Sequence, residues 1–165
     1  MNTDNARIVV GIGDDAAADA ALAYGITEAR RRDIELVAVR AWGPLADPSP
    51  RDIAAPGAEA ELRNRAARAI ERAFATVGGV PGDVNVTRRI VEGAPGPAMV
   101  SAADRPGDLI VLGRPRHRLA RRAVFGSVAD FVLDHATCPV LVQPGPRTPR
   151  PDHRRAAEPP AGVFS

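Results

Sequence analysis

Residues 108–143, DLIVLGRPRHRLARRAVFGSVADFVLDHATCPVLVQ, contain the pattern that decides the fold. An apolar run ends at Gly113, a basic segment follows, and Gly126-Ser127 opens a short segment, 127–135, with the apolar spacing of a helix. A second apolar run occupies 139–143. Both runs are nearly continuous Val, Ile and Leu, which is typical of parallel strands covered by helices on both faces. The stretch therefore predicts a strand–helix–strand unit.

The remaining sequence repeats this alternation. Further strands are predicted at 7–12, 34–42 and 84–91, and further helices at 15–32, 58–77 and 97–105. Strands that alternate with helices predict a single α/β domain, an open parallel five-stranded sheet with helices on both faces. The run at 84–91 alternates polar and apolar residues in its first half, so we expect it at a sheet edge. Segment 43–57 holds four prolines and is predicted to be an irregular loop.

Composition limits the classes of function. The chain has 165 residues, 45% of them hydrophobic, which suits one globular domain. Its apolar runs are shorter than the ~20 residues that cross a bilayer, and the amino terminus lacks the pattern of a signal peptide. We therefore expect a cytoplasmic protein without a membrane partner.

Charge is distributed unevenly. All 22 basic residues are arginines, and 18 of them balance 18 acids within 1–143. The last segment, 144–165, holds six prolines and the net charge of +2, and is predicted to be a disordered tail on a domain at 1–143. Because a broad basic face is not indicated, we expect no specific nucleic-acid partner.

The residues suited to catalysis or metal binding are scattered. Cys138 lies in an apolar run and is predicted to be a small buried hydrophobe. The three histidines, at 117, 135 and 153, lack the spacing of metal ligands. With no recognisable pair of nucleophile and base, the sequence predicts a protein that is not an enzyme, with no catalytic and no metal-binding residues.

The segment after Gly113 is strongly basic. It holds Arg114, Arg116, His117, Arg118, Arg121 and Arg122, and no acid lies between Asp108 and Asp130. Two interpretations remain open: the local charge attracts an anion, or the arginines pair with acids on neighbouring elements. Gly126-Ser127 is equally open, because it suits both a helix cap and a phosphate-binding helix start.

With Gly113 and Gly126-Ser127 at this spacing, the sequence resembles the universal stress protein family, whose pattern is glycine, two residues, glycine, nine residues, then glycine with serine or threonine. Arg116 stands at the second glycine. The likeness covers about 7–143 and includes RIVVGI, VRAW, VEGAPGPAMVSAADRPGDLIVLG and HATCPVLV. The resemblance implies a Rossmann-like, adenine nucleotide alpha-hydrolase-like fold with strand order 3-2-1-4-5. It also implies a regulator or sensor of the stress response that forms a homodimer through its last strand.

The resemblance further implies that ATP or another adenine nucleotide binds between the ends of the first and fourth strands. It implies that adenine lies against the backbone near Gly11 to Gly13 and Ala41, and that ribose and phosphates lie along Gly113, Arg116, Gly126, Ser127 and Val128. Asp14 and Leu112 complete the implied set of nucleotide-binding residues. ATP-binding members end the first strand with an aspartate. This chain has Gly13 there, and Asp14 or Asp15 would have to take that role.

Arg116 leaves alternatives. Its guanidinium would either bind a phosphate or fill the phosphate site and exclude the nucleotide. In the second case the protein would act through dimerisation and protein contacts. A third alternative is a nucleotide-dependent transferase or hydrolase, which the lack of catalytic carboxylates near the glycines disfavours.

Overall fold

The computed structural model describes residues 6–43, 57–114 and 128–147. Five strands and four helices alternate along this part of the chain. In order they are β1 (Arg7–Gly11), α1 (Ala16–Arg32), β2 (Glu35–Trp42), α2 (Ala58–Thr76), β3 (Val86–Glu92), α3 (Pro95–Ala102), β4 (Leu109–Arg114), α4 (Val128–His135) and β5 (Val140–Pro144). The predicted alternation is confirmed, and strand bounds differ from the prediction by two residues at most.

All strand pairs in the sheet are parallel, in the order β3-β2-β1-β4-β5. In the centre of the sheet, Val9 of β1 lies between Val37 of β2 and Ile110 of β4. The expected strand order is therefore confirmed, as is the edge position of β3. Strand order reverses between β1 and β4, so their carboxyl ends border a crevice, the usual ligand position in such sheets.

Helices cover both faces of the sheet. Ile8 and Val10 point to the face that packs against α1 and α2, while Val9 points to the face of α3 and α4. The fully buried side chains of Leu22, Ile70 and Phe74 belong to the first layer. Both layers are thus cores, which explains the nearly continuous apolar composition of the central strands.

Helix ends follow the local sequence. Asp15 caps α1 by accepting hydrogen bonds from the backbone N–H groups of Ala17 and Ala18, at 2.8 and 2.9 Å. The predicted start of α3 at Pro97 is wrong by two residues and its predicted end at Arg105 by three. Pro95 occupies the first turn instead, where a missing N–H costs nothing.

An ion-pair network joins β1 to β4 at the amino end of the sheet, opposite the crevice. The carboxylate of Asp108 is fully buried and accepts bonds from Arg7 N, Nε and Nη2 at 2.9, 3.2 and 2.6 Å. Arg7 Nη2 also contacts Asp104 Oδ1 at 2.6 Å. The hydrogen bonds from the Arg7 side chain to Asp108 are the main cause that raises the pKa of Arg7. The hydrogen bond from Arg7 is also the main cause that lowers the pKa of Asp104. Paired charges therefore hold β1 and the segment before β4 together at this end of the sheet.

Candidate functional site

A cavity of about 350 Å³ opens at the carboxyl ends of β1, β2 and β4. Eight predicted site residues line it: Gly11, Ile12, Gly13, Asp14, Ala41, Leu112, Gly113 and Val128. The other three, Arg116, Gly126 and Ser127, lie outside the described residues, as do His117 and the remaining arginines of the basic segment after Arg114. The fold therefore brings the two predicted halves of the site, from β1–β2 and from β4–α4, to one crevice.

One wall of the cavity is apolar and rigidly packed. It is formed by four buried residues that belong to the core between the sheet and α3–α4: Val39, Met99, Leu112 and Ala129. Pro95, at the start of α3, also lines the cavity. Such a wall can hold a flat apolar group, because burying it there removes both surfaces from water.

The chain after β1 passes close to its neighbours. A Cβ at Gly11 would lie 2.8 Å from Cδ2 of Leu112, and a Cβ at Gly13 would lie 2.9 Å from the Cβ of Ala18 on α1. An aspartate at position 13 would therefore require a shift of α1 as well as a change of residue. The packing of Gly13 against Ala18 therefore disfavours the family aspartate at this position.

The two acids that follow Gly13 are already engaged. Asp15 caps α1, and Asp14 Oδ2 pairs with Arg40 Nη2 at 2.6 Å. Asp19, one turn into α1, lies near both, and partial burial followed by their negative charges raises the pKa of its carboxyl. The amino terminus of α1 thus has its own carboxylates, which disfavour a second anion at this helix end.

Backbone groups at the ends of β1 and β2 are partly used. Ile12 N–H donates to Val39 O at 2.9 Å, and Ile12 O accepts from Arg40 Nη1 at 3.1 Å. Alternate residues of a parallel strand turn their backbone N–H and C=O groups to the same neighbouring strand. The backbone groups of Ala41 therefore point to the β1 side, as those of Val39 do. Strand β1 has ended at that level, so the backbone of Ala41 borders the cavity.

Gly113 has a packing role that the sequence did not reveal. A Cβ there would lie 2.3 to 2.5 Å from the backbone C and O of Ala17 and the N of Ala18. The end of β4 therefore touches the first turn of α1 directly, backbone to backbone. This contact requires glycine whether or not a phosphate binds nearby.

Sequence reasoning missed several lining residues. They are Ala18, Val39, Arg40, Pro95, Met99 and Ala129. Most are ordinary apolar residues whose position in the cavity depends on contacts distant in sequence. Arg40 did carry a signal, because it is a lone charge within the apolar strand VAVRAW.

Cys138 and His135, the other described residues considered for chemistry, are not among the residues that line this cavity. Cys138 is only half-buried, so the prediction of a buried residue is wrong in degree: it lies near the edge of the core, packed against one side of it. Partial burial is the main cause that raises the pKa of its thiol, so the reactive thiolate is disfavoured. Among the described residues, no group of three His, Cys, Asp or Glu side chains is placed to hold a metal ion. Nor is any helix in the described ranges both long and apolar enough to cross a membrane.

Comparison with known proteins gives a consistent family. Among curated proteins, a universal stress protein of Mycobacterium tuberculosis (strain H37Rv) is 30% identical over 142 residues, 82% of this chain and 46% of that protein. One from Mycolicibacterium smegmatis is 31% identical over 135 residues, 82% of this chain and 44% of that protein. The chain thus spans about half the length of the curated relatives it matches.

Solved structures show the same fold. UspA from Lactobacillus plantarum is 29% identical with a TM-score of 0.58, over 84% of this chain and 97% of that one. A universal stress protein solved in complex with cAMP is 22% identical with a TM-score of 0.53, over 85% of this chain and 97% of that one. The profile of the universal stress protein family matches residues 5–144. The chain therefore belongs to the universal stress protein family.

Proposed function

We propose that this protein is a regulator or sensor of the stress response that binds an adenine nucleotide in the crevice between β1 and β4. The single observation that supports the proposal most is the 350 Å³ cavity, which all eight described residues of the predicted site line. Its volume lies at the lower end of the range of small-molecule sites. We further propose that the protein is cytoplasmic and not an enzyme.

The nucleobase end of the proposed site lies between β1 and β2. Met99 and Leu112 supply an apolar surface, and the backbone of Ala41 supplies one donor and one acceptor at its edge. A purine needs an apolar surface for its faces, and it needs hydrogen-bonding partners for the nitrogen donors and acceptors along its edge. Ile12 contributes less, since its N–H and C=O already have partners.

The phosphate end of the proposed site lies between β4 and α4. Val128 is in the first described turn of α4 and lines the cavity, so the positive end of the helix dipole points toward it. Arg114, exposed at the end of β4, adds a positive charge to the same rim. We assign Arg116, Gly126 and Ser127 to this end as proposed phosphate contacts.

Adenine nucleotides are the ligand class to test first. The cAMP complex of a universal stress protein with this fold shows that the fold can accommodate such a ligand in that protein. For this chain the choice rests on the cavity itself, with its apolar wall and two strand ends. ATP, AMP and cAMP differ in the phosphate part, so comparing them would define that end of the site.

A second candidate function has its own support. The missing aspartate at Gly13, the close contact with Ala18 and the engagement of Asp14 by Arg40 all remove a usual nucleoside contact. These features favour a family member that binds no nucleotide and acts through dimerisation and protein contacts. In that alternative, Arg116 occupies the phosphate site.

Equilibrium dialysis with labelled ATP, AMP and cAMP separates the two functions. The native chain is compared with Arg116→Gly, which restores the family glycine, and with Arg63→Ala, which removes one exposed charge from α2 as a matched control. Binding by the native chain that weakens only in Arg116→Gly supports a phosphate contact. Binding gained only by Arg116→Gly supports exclusion by Arg116. If neither the native chain nor Arg116→Gly binds a nucleotide, the proposed nucleotide site is contradicted.

A homodimer through β5 is the proposed assembly. Strand β5 lies at the edge of the sheet, and Val140, Leu141 and Val142 are only partly buried there. An apolar edge strand exposes a row of backbone donors and acceptors that a second copy of the chain can pair with. We propose that two β5 strands meet about a two-fold axis.

A further inference from the structure

Arg40 lines the cavity but is not among the residues that the family resemblance implied for the nucleotide. It lies near the carboxyl end of β2, and its side chain reaches across to the chain that follows β1. There Nη1 donates to Ile12 O at 3.1 Å and Nη2 pairs with Asp14 Oδ2 at 2.6 Å. The guanidinium therefore bridges the carboxyl ends of β1 and β2.

These two bonds fix the orientation of the guanidinium group. The Arg40 side chain is only 22% exposed and the Asp14 side chain is 64% exposed, so Arg40 is the more deeply buried partner. Each Nη atom is directed to an acceptor: Nη1 to a backbone carbonyl and Nη2 to the more exposed carboxylate of Asp14. A guanidinium held this way loses little further entropy when a flat group contacts it.

The position of Arg40 complements the apolar wall. Met99 and Leu112 border the cavity from the face of α3, while Arg40, like Leu36 and Ala38, stems from the other face of β2. Its guanidinium crosses the level at which β1 ends. A flat ring lying over the end of β1 would thus meet apolar carbon on one side and a planar cation on the other.

We propose that Arg40 is the residue that selects the base, and that it does so by stacking its guanidinium plane on a purine. This inference rests on the proposed nucleotide site. Arginine stacks on planar π systems, and a purine offers a larger face than a pyrimidine. Asp14 is then a positioning residue, because it orients the guanidinium without touching the base.

The test compares ATP with UTP, which share ribose and triphosphate and differ in the base. Dissociation constants are measured by equilibrium dialysis for the native chain, Arg40→Lys and Asp14→Asn. Lysine keeps the charge that pairs with Asp14 but has no plane to stack. In Arg40→Lys we expect ATP affinity to fall about tenfold or more while UTP affinity stays within about twofold, as loss of one stacking contact predicts.

Controls separate selection from general weakening. Arg63→Lys makes the same substitution on exposed α2 and should leave both affinities unchanged. Asp14→Asn keeps an acceptor for Arg40 and should reduce ATP affinity less than Arg40→Lys does. Thermal unfolding of each variant reports the fold, and Arg40→Gln, which is uncharged, replaces Arg40→Lys if the lysine variant does not fold.

The remaining outcomes all decide the question. An equal loss of ATP and UTP affinity in Arg40→Lys would show a contact with ribose or phosphate and would overturn the inference, as would unchanged affinities or a native chain without preference for ATP. In each of those cases the proposed function survives. If the native chain binds neither nucleotide, the proposed function fails and this inference fails with it.

Discussion

Gly113 shows how a single residue serves the fold at the rim of the site. Its missing side chain lets the end of β4 touch the backbone of Ala17 and Ala18. The sequence pattern predicted a glycine for the phosphate loop, and that part stays a prediction. The contact with α1 was not predictable, since it joins residues far apart in the chain.

We expect Gly113→Ala to lower the free energy of unfolding by ~1–3 kcal/mol, because the new Cβ meets backbone atoms that no rotamer change can move. Urea denaturation measures the loss. Gly82→Ala is the matched control: the space around its Cβ is open to 4 Å, so this variant should stay within ~1 kcal/mol of the native chain or be slightly more stable. Equal stability of the two variants would contradict the packing role of Gly113.

At the scale of the elements, charged side chains reinforce the backbone pairing of β1 with β4 and link both strands to the end of α3. Arg7 at the start of β1 contacts Asp108 just before β4 and Asp104 just after α3. The three elements are thereby fixed at the amino end of the sheet, and the crevice forms at the other end. Since the pKa of Asp104 is lowered, its carboxylate stabilises the folded state when charged.

The lowered pKa values of paired carboxylates make the folded state less stable in acid. The contribution of Asp104 is fully present above the pKa of an unfolded aspartate, about 3.9, and is lost as the pH falls through the lower folded value. Glu28 beside Arg31 and Asp83 beside Arg30 have lowered pKa values too and add to this loss in acid. We expect stability in urea to decrease below about pH 4, and to decrease less steeply in Asp104→Asn. Identical pH profiles for the two proteins would contradict the contribution of Asp104.

The bounds of the elements could be predicted where local composition sets them. The Val- and Ile-rich runs gave the central strands, and Asp15 was correctly placed at the start of α1. The start of α3 was misplaced although Pro95 is a local signal for a first helical turn, and a distant contact supports the observed start. Gly96 packs against Phe131 of α4, where a Cβ would lie 2.7 Å from Cδ1, and this contact favours a helix that includes Pro95 and Gly96.

At the scale of the whole molecule, the proposed dimer uses the outer edge of the sheet at β5, which pairs with no other strand among the described residues. Ile110 N–H bonds Pro139 O and Gly145 N–H bonds Arg114 O, so odd-numbered residues of this segment face β4. Val140 and Val142 then turn their backbone groups away from the sheet. The proposed partner strand would pair with those groups.

We expect Val142→Pro to dissociate the dimer and keep the fold, since proline removes an outward N–H and is tolerated at sheet edges. Leu141→Pro is the matched control, because it removes an N–H that faces β4 and should destabilise the monomer itself. Sedimentation equilibrium gives the mass and urea denaturation the stability. A native monomer, or a Val142→Pro dimer of unchanged affinity, would contradict assembly through β5.

The direct contact of Gly113 with α1 also bears on how a ligand would enter. Because main chain meets main chain there, with no side chain to rotate away, the β1–α1 side and the β4 side of the opening cannot widen or narrow independently. A molecule that binds there would meet two backbone sides that move together, so discrimination along this part of the rim would depend on fit to their common spacing.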